Sequence, residues 1–128
     1  MIVGDLRNPG DLDERQRWVE LDVTSESSAA SLADEVGGSL GVLVNNAGIM
    51  FEASIAEQTV EQWDMAMAVN LRGPWLMTKA LLSQLQADGA GAVVNVGSIE
   101  GIGANPLHSA YSASKGGVHG LTAAMAVA

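Results

Sequence analysis

Two short apolar runs, Val42-Leu43-Val44 and Ala92 to Gly97 (AVVNVG), are separated by a long stretch of helical periodicity, and this alternation constrains the fold more than any other feature of the chain. Continuous β-branched runs of this kind read as strands buried on both faces, the environment of a parallel sheet covered by helices. Ile2 to Asp5 is a further short strand ending in a carboxylate, followed by the turn signal Asn8-Pro9-Gly10. Trp18 to Val23 (WVELDV) alternates apolar and acidic residues as a half-exposed strand does, and Thr24-Ser25-Glu26 then offers an N-cap and a first-turn acid for a helix to about Val36. Strands alternating with helices indicate an α/β fold whose parallel sheet is doubly wound, with about four strands in this chain.

Thr59-x-x-Gln62 is a capping-box pattern, and Val60, Trp63, Met67, Leu71, Trp75, Thr78, Leu82 and Leu85 then recur at helical spacing. One long helix, or two in series, is expected over about 60–86. Pro74 lies inside it and lacks the N–H that would bond the carbonyl four residues earlier, that of Asn70. A kink at Gly73-Pro74 and a freed acceptor on Asn70 are both expected. Gly101, Gly103, Asn105 and Pro106 make the segment after the last strand a loop, and a helix carrying Tyr111 runs from there to the chain end. Gly116, Gly117 and Gly120 each cost about 1 kcal/mol relative to alanine inside a helix, so close helix–helix packing is expected there.

Tyr111 is the one tyrosine, and Lys115 follows four residues later, which on a helix puts both side chains on one face with Cβ atoms about 5–6 Å apart. A phenol ordinarily titrates near 10, and an adjacent ammonium favours its charged form; moving such a group toward 7 takes about 4 kcal/mol of differential stabilisation. Alone, this spacing usually marks a surface pair worth a few tenths of a kcal/mol. The context lifts it. Ser98 closes the strand Ala92 to Gly97, and open α/β sheets bind ligands at the carboxyl ends of their strands. Asn45-Asn46-Ala47-Gly48 follows the other apolar run directly, and Asn70 sits within the long helical pattern.

The combination Asn-Asn-Ala-Gly, Asn70, Ser98 and Tyr111-x-x-x-Lys115 resembles the short-chain dehydrogenase/reductase family, over a stretch from about Val3 to the last residue. The resemblance implies a Rossmann-like sheet and hydride transfer between NAD or NADP and a small alcohol or ketone. Tyr111 is then the general acid/base, Lys115 its charge partner and ribose anchor, Ser98 a donor to the substrate oxygen, and Asn70 the holder of a relay water. Asn45, Ala47 and Gly48 are expected to flank the cofactor, and Asp22 and Val23 to contact its adenine. Asp5, at the end of the second strand of a dinucleotide-binding unit, is expected to bond the ribose hydroxyls and so to favour NAD over NADP, with Arg7 keeping NADP open. For Asp5 and Asp22 a local turn-capping role is the competing explanation. The helices carrying Asn70 and Tyr111 are expected to build a homodimer or homotetramer.

The family also carries a first strand and a glycine-rich turn that receives the pyrophosphate, and nothing of that pattern precedes Ile2; the C-terminal part that shapes the substrate pocket is likewise not found. Residues 1–128 are therefore expected to be a partial dinucleotide-binding catalytic domain, an internal fragment whose central first strand is absent and which neither binds NAD nor folds cooperatively alone. The alternative is an inactive α/β interaction module derived from the same family. A net charge of −9 with six scattered basic residues argues against nucleic acid or an anionic membrane as partner. Without cysteine there is no disulfide framework or thiolate zinc site, and with no apolar run of spanning length and no signal-peptide pattern a cytoplasmic location is the default expectation.

Overall fold

The computed structural model describes residues 1–127 and contains β1 (Ile2–Asp5), β2 (Arg17–Glu20), α1 (Glu26–Val36), β3 (Val42–Asn45), α2 (Val60–Met67), a π-helical turn (Ala68–Arg72), α3 (Gly73–Ala80), α4 (Leu82–Gln86), β4 (Ala92–Asn95), α5 (Glu100–Gly103) and α6 (Ser109–Met125). The chain divides into two compact units, Met1–Leu43 with Leu76–Val93, and Val44–Trp75 with the chain from Val94 onward. The fold is α/β, as expected. Its strands lie in two parallel pairs, β1 with β2 and β3 with β4. For β3 and β4 the direction follows from the bonds Ala92 N–H to Gly41 O at 2.9 Å and Val96 N–H to Asn45 O at 3.0 Å, which advance together along both strands.

In the first unit β1 and β2 run in register from Ile2 opposite Arg17 to Asp5 opposite Glu20. The second strand is shorter than the alternation Trp18 to Val23 predicts. Asp22 ends it, because its Oδ1 accepts the Thr24 N–H at 2.8 Å and the Thr24 hydroxyl at 2.7 Å and turns the chain toward α1. Ser25 caps that helix, its hydroxyl accepting the Ser28 N–H at 3.2 Å. Leu21, Leu32, Leu76, Met77, Leu81 and Leu85 close into one apolar cluster. Each such burial is worth about 1.5–3 kcal/mol, so the cluster is the main stabilising element of this unit. Leu81 interrupts the helix between α3 and α4 yet is only 1% exposed.

Val42-Leu43-Val44 is not buried on both faces. Val42 and Val44 are 54% and 56% exposed, and Val94 is 49% exposed. Alternate residues share one face of a strand, and no described element covers this one. The last strand stops at Asn95 and not at Gly97.

The second unit starts its helical run with the expected capping box, Thr59 and Gln62 bonding each other's backbone N–H at 3.2 and 3.1 Å. At the disturbance expected around Gly73-Pro74 the run passes through the π turn, in which the Gly73 N–H reaches back five residues to Ala68 O. Pro74 has no N–H for Asn70 O, so an α-helical register cannot continue through this point, and the wider turn absorbs the mismatch. The expected loop after Ser98 contains the one-turn helix α5, begun by Ser98 Oγ accepting the Glu100 N–H at 3.2 Å and ended by Ala104 in the left-handed region at φ 51°.

The glycines explain how closely these helices approach. A Cβ on Gly101 would lie 2.7 Å from the Lys115 carbonyl carbon, and one on Gly117 2.7 Å from Leu71 Cδ2. Gly116 meets Gly101 O at 3.2 Å in the same sense, but nothing lies within 4 Å of a Cβ on Gly120, so the packing expected there is not found. An open groove of about 650 Å³, lined by Met67, Leu71, Trp75 and Leu121 with Asp64 and Arg72, lies along the helices of this unit.

Candidate active site

The second unit is held around α6 by polar side chains. Asn70 is 1% exposed; its Oδ1 accepts the Ile49 N–H at 2.8 Å, and its Nδ2 donates to Ile49 O at 2.8 Å and to Ser114 Oγ at 3.0 Å. Ser114 in turn donates to Tyr111 O at 2.8 Å. One side chain therefore fixes the loop after β3, the π turn and α6 relative to each other. Asn45 Nδ2 donates to Asn95 Oδ1 at 2.8 Å, Asn95 Nδ2 to Thr122 Oγ1 at 2.9 Å, and Thr122 Oγ1 to Val118 O at 2.7 Å, tying the ends of β3 and β4 to the same helix. Sequence reasoning missed Ser114 and Asn95. Each carried a signal: a serine three residues after Tyr111 inside a helix it does not favour, and a lone amide in an otherwise apolar strand.

Along α6, Tyr111 and Lys115 share a face as the spacing predicts, with Lys115 Nζ 5.7 Å from the centre of the Tyr111 ring. Lys115 is 4% exposed, and its ammonium donates to Val96 O at 2.6 Å, a short charge-assisted bond. Burial pushes the Lys115 pKa below its ordinary 10.5, because desolvation disfavours the charged form. A Cβ on Gly48 would lie 3.6 Å from Asn70 Oδ1 and 3.7 Å from Lys115 Nζ, so the loop after β3 runs close beside the two groups. Ser98 is half-buried three residues beyond β4, its carbonyl accepting the Gly101 N–H at 3.1 Å. The fold thus brings Asn45, Gly48, Asn70, Tyr111 and Lys115 into one unit around α6, with Ser98 just before the start of α5 and Ala47 exposed on the loop.

Asp5, Asp22 and Val23 belong to the other unit. Asp5 is exposed at the end of β1, where its Oδ1 accepts the Arg7 N–H at 3.1 Å. Both aspartates thus carry the turn bonds that a local role requires, while Val23 is half-buried against the apolar cluster.

A phenol, a buried ammonium, a serine hydroxyl and a buried amide on one unit form a set suited to proton transfer, and the sequence comparisons agree in kind. Residues 6–128 match the family described as short chain dehydrogenase. The chain belongs to that family. It is 43% identical over 121 residues to a cis-4-hydroxycyclohexanecarboxylate dehydrogenase of Sinomonas cyclohexanicum, covering 91% of this chain and 49% of the relative. It is 38% identical over 122 residues to a D-beta-hydroxybutyrate dehydrogenase of Rhizobium meliloti, covering 95% and 44%. Among solved structures, the ligand-free aldohexose dehydrogenase of Thermoplasma acidophilum superimposes with a TM-score of 0.92 at 29% identity, over 98% of this chain and 50% of that one. This short chain dehydrogenase sequence therefore spans about half the length of the curated relatives it matches. Among the described residues no helix is long and apolar enough to cross a membrane, and no group of three or more His, Asp or Glu side chains is arranged to hold a metal ion.

Proposed function

We propose that the whole protein is an NAD(P)-dependent oxidoreductase acting on an alcohol or carbonyl compound, with Tyr111 as its general acid/base. The observation that carries this reading is the buried Lys115 ammonium held at 2.6 Å by Val96 O and 5.7 Å from the Tyr111 ring, on the same helix face. A nicotinamide cofactor, when bound, supplies or accepts the hydride. Lys115 lies beside Gly48 and keeps donors beyond the one given to Val96 O, which suits a group that brings hydroxyls to an ammonium.

In this reading Tyr111 exchanges the hydroxyl proton with the substrate, and Lys115 stabilises negative charge developing on the phenol oxygen. Ser98 Oγ donates to the substrate oxygen as charge grows there. Asn70 acts twice: its side chain fixes the loop and α6, and its carbonyl, denied an α-helical donor by Pro74, holds a water that extends proton exchange from Lys115. Asp5 favours NAD, since a carboxylate repels a 2′-phosphate. A second copy packs against the groove beside Trp75 and Leu121.

The test is Tyr111→Phe in the whole protein, which removes only the hydroxyl. Turnover is expected to vanish while dinucleotide affinity stays nearly intact; a Phe variant keeping more than a few per cent of the wild-type kcat overturns the role. The inactive-module alternative is rejected by any Tyr111-dependent turnover of a secondary alcohol. Competing kinetics with NAD and NADP decide the Asp5 assignment, a higher kcat/KM with NADP counting against it.

A further inference from the structure

The N-cap of α6 is His108, with φ −124° and ψ 42°, and its side chain makes no capping bond. Ser, Thr, Asp and Asn are the side chains that serve this position well. Capping comes from elsewhere in the chain: Gln58 Oε1 accepts the Ala110 N–H at 3.2 Å and the Ser109 hydroxyl at 2.5 Å. The backbone at His108 is pinned too, by a parallel bridge to Ala53 and the bond from Ala53 N–H to Leu107 O at 2.9 Å. The imidazole is thereby released from a helix-capping job and is used otherwise. Its Nδ1 lies 2.9 Å from Glu100 Oε2 of α5, with the two side chains 12% and 24% exposed. Its ring meets the Tyr111 ring edge to face, with centres 6.3 Å apart and planes at 79°.

We infer that Glu100 and His108 form a positioning pair for the Tyr111 phenol, an inference that rests on the role proposed for Tyr111. A carboxylate on Nδ1 selects the tautomer and fixes the plane of an imidazole. The fixed imidazole then limits rotation of the phenol ring from one side, while Lys115 stands on the other side along the helix, at i+4 against i−3. Neither Glu100 nor His108 takes a proton from the substrate in this scheme. Their contribution is to hold the phenol oxygen where the reacting hydroxyl arrives, and catalysis is sensitive to such placement: a misplacement of about 1 Å can cost about a hundredfold.

The experiment is a double-mutant cycle in the whole protein, read as kcat, KM, cofactor Kd and melting temperature. His108→Ala and Glu100→Ala are each expected to lower kcat on the order of tenfold, with cofactor Kd held within about twofold. The double variant is expected to lose no more than either single one, since both changes remove the same restraint. Glu100→Gln, whose amide oxygen still accepts the Nδ1 hydrogen, is expected to retain at least about half of kcat, a rescue that a purely charge-based role does not give. Multiplying losses in the double variant, or kcat unchanged in Glu100→Ala, overturns the pair. A fall in kcat matched by a fall in melting temperature and not restored by Glu100→Gln also overturns it, in favour of a structural role. Tyr111→Phe is measured alongside: if it keeps full turnover, the reading of Tyr111 fails and the pair with it, whereas an inactive Phe variant beside unaffected Glu100 and His108 variants sinks the pair alone.

Discussion

In the unit of β1, β2 and α1, the apolar cluster consists of Leu21, Ala29, Leu32, Leu76, Met77, Leu81 and Leu85, whereas the unit carrying α6 withdraws Asn45, Asn70, Ser114 and Lys115 from water beside the smaller apolar set Ala66, Ala110 and Val118. The first is held by volume and area, which are tolerant of chemical detail and sensitive to cavities. The second is held by directional bonds from amide and hydroxyl groups, which set positions more narrowly and leave costly orphans when one partner is lost. Substitutions in the first unit are therefore expected to act on stability alone, and those in the second on stability and catalysis together. Each of the following changes, made in the whole protein, presses on that division.

The largest effect is expected from Asn70→Leu, which keeps size and removes three hydrogen bonds. Both backbone groups of Ile49 and the hydroxyl of Ser114 lose a partner. Ser114 keeps its bond to Tyr111 O, so at about 1–3 kcal/mol for each of the two orphaned Ile49 groups the loss should be about 2–6 kcal/mol and should abolish turnover as well. Urea unfolding and amide exchange at Ile49 are the measurements; a variant within about 1 kcal/mol of wild type would mean that the polar network is ornamental to stability.

Leu81→Ala probes the other side. At 1% exposure between α3 and α4 it should cost about 2–5 kcal/mol through a cavity. Its kcat per folded molecule should stay unchanged, because none of the proposed catalytic groups lies in that unit. A drop in kcat at a temperature where the variant is fully folded would blur the division.

Two alanine substitutions at glycines refine it further. At Gly101 a Cβ would press on the backbone of Lys115 and Gly116, at 2.7 and 2.8 Å, and backbone cannot swing aside as a side chain can. Gly101→Ala should destabilise and shift α5 away from α6, lowering kcat with it. Gly120→Ala meets nothing within 4 Å and should stabilise by up to about 1 kcal/mol through helix propensity, with kcat untouched. Equal melting temperatures for the two variants would remove the packing account of Gly101.

How much of this was legible in the sequence differs between the units for the same physical reason. Periodicity and capping signals report local structure and apolar faces, so α1 with Ser25, α2 with its Thr59–Gln62 box, and the shared face of Tyr111 and Lys115 were all readable. Strand ends were not: Asp22 and Asn95 terminate or follow ladders through side-chain bonds whose partners, Thr24 and Thr122, are set by the fold. Pro74 announced a disturbance at Asn70, but a missing N–H does not specify its form, which in the structure is a π turn over Ala68–Arg72. Val42 and Val44 carry a strong burial signal and are exposed, because periodicity reports what a face suits and not whether a described element covers it.

The smallest expected effect concerns the buried charge itself. Desolvation lowers the Lys115 pKa in the folded state, so between that value and 10.5 the unfolded chain binds more protons than the folded one. Stability then rises with pH across that window: the penalty for burying the ammonium is fully present below the folded pKa and gone once both states are neutral above 10.5. Lys115→Met removes the titrating group while keeping most of the volume, and it also removes the bond to Val96 O, which shifts stability by a pH-independent amount as long as Lys115 stays charged. The informative quantity is therefore the slope and not the offset. Wild type should gain stability relative to Lys115→Met as pH is raised from neutral toward 10.5, while the variant has lost turnover at every pH. A gap that stays constant would mean the ammonium is as well solvated in place as in the unfolded chain. One that moves the other way, with wild type losing ground as pH rises, would mean that Val96 O and its surroundings favour the charge outright, and that the site stores no desolvation penalty for catalysis to draw on.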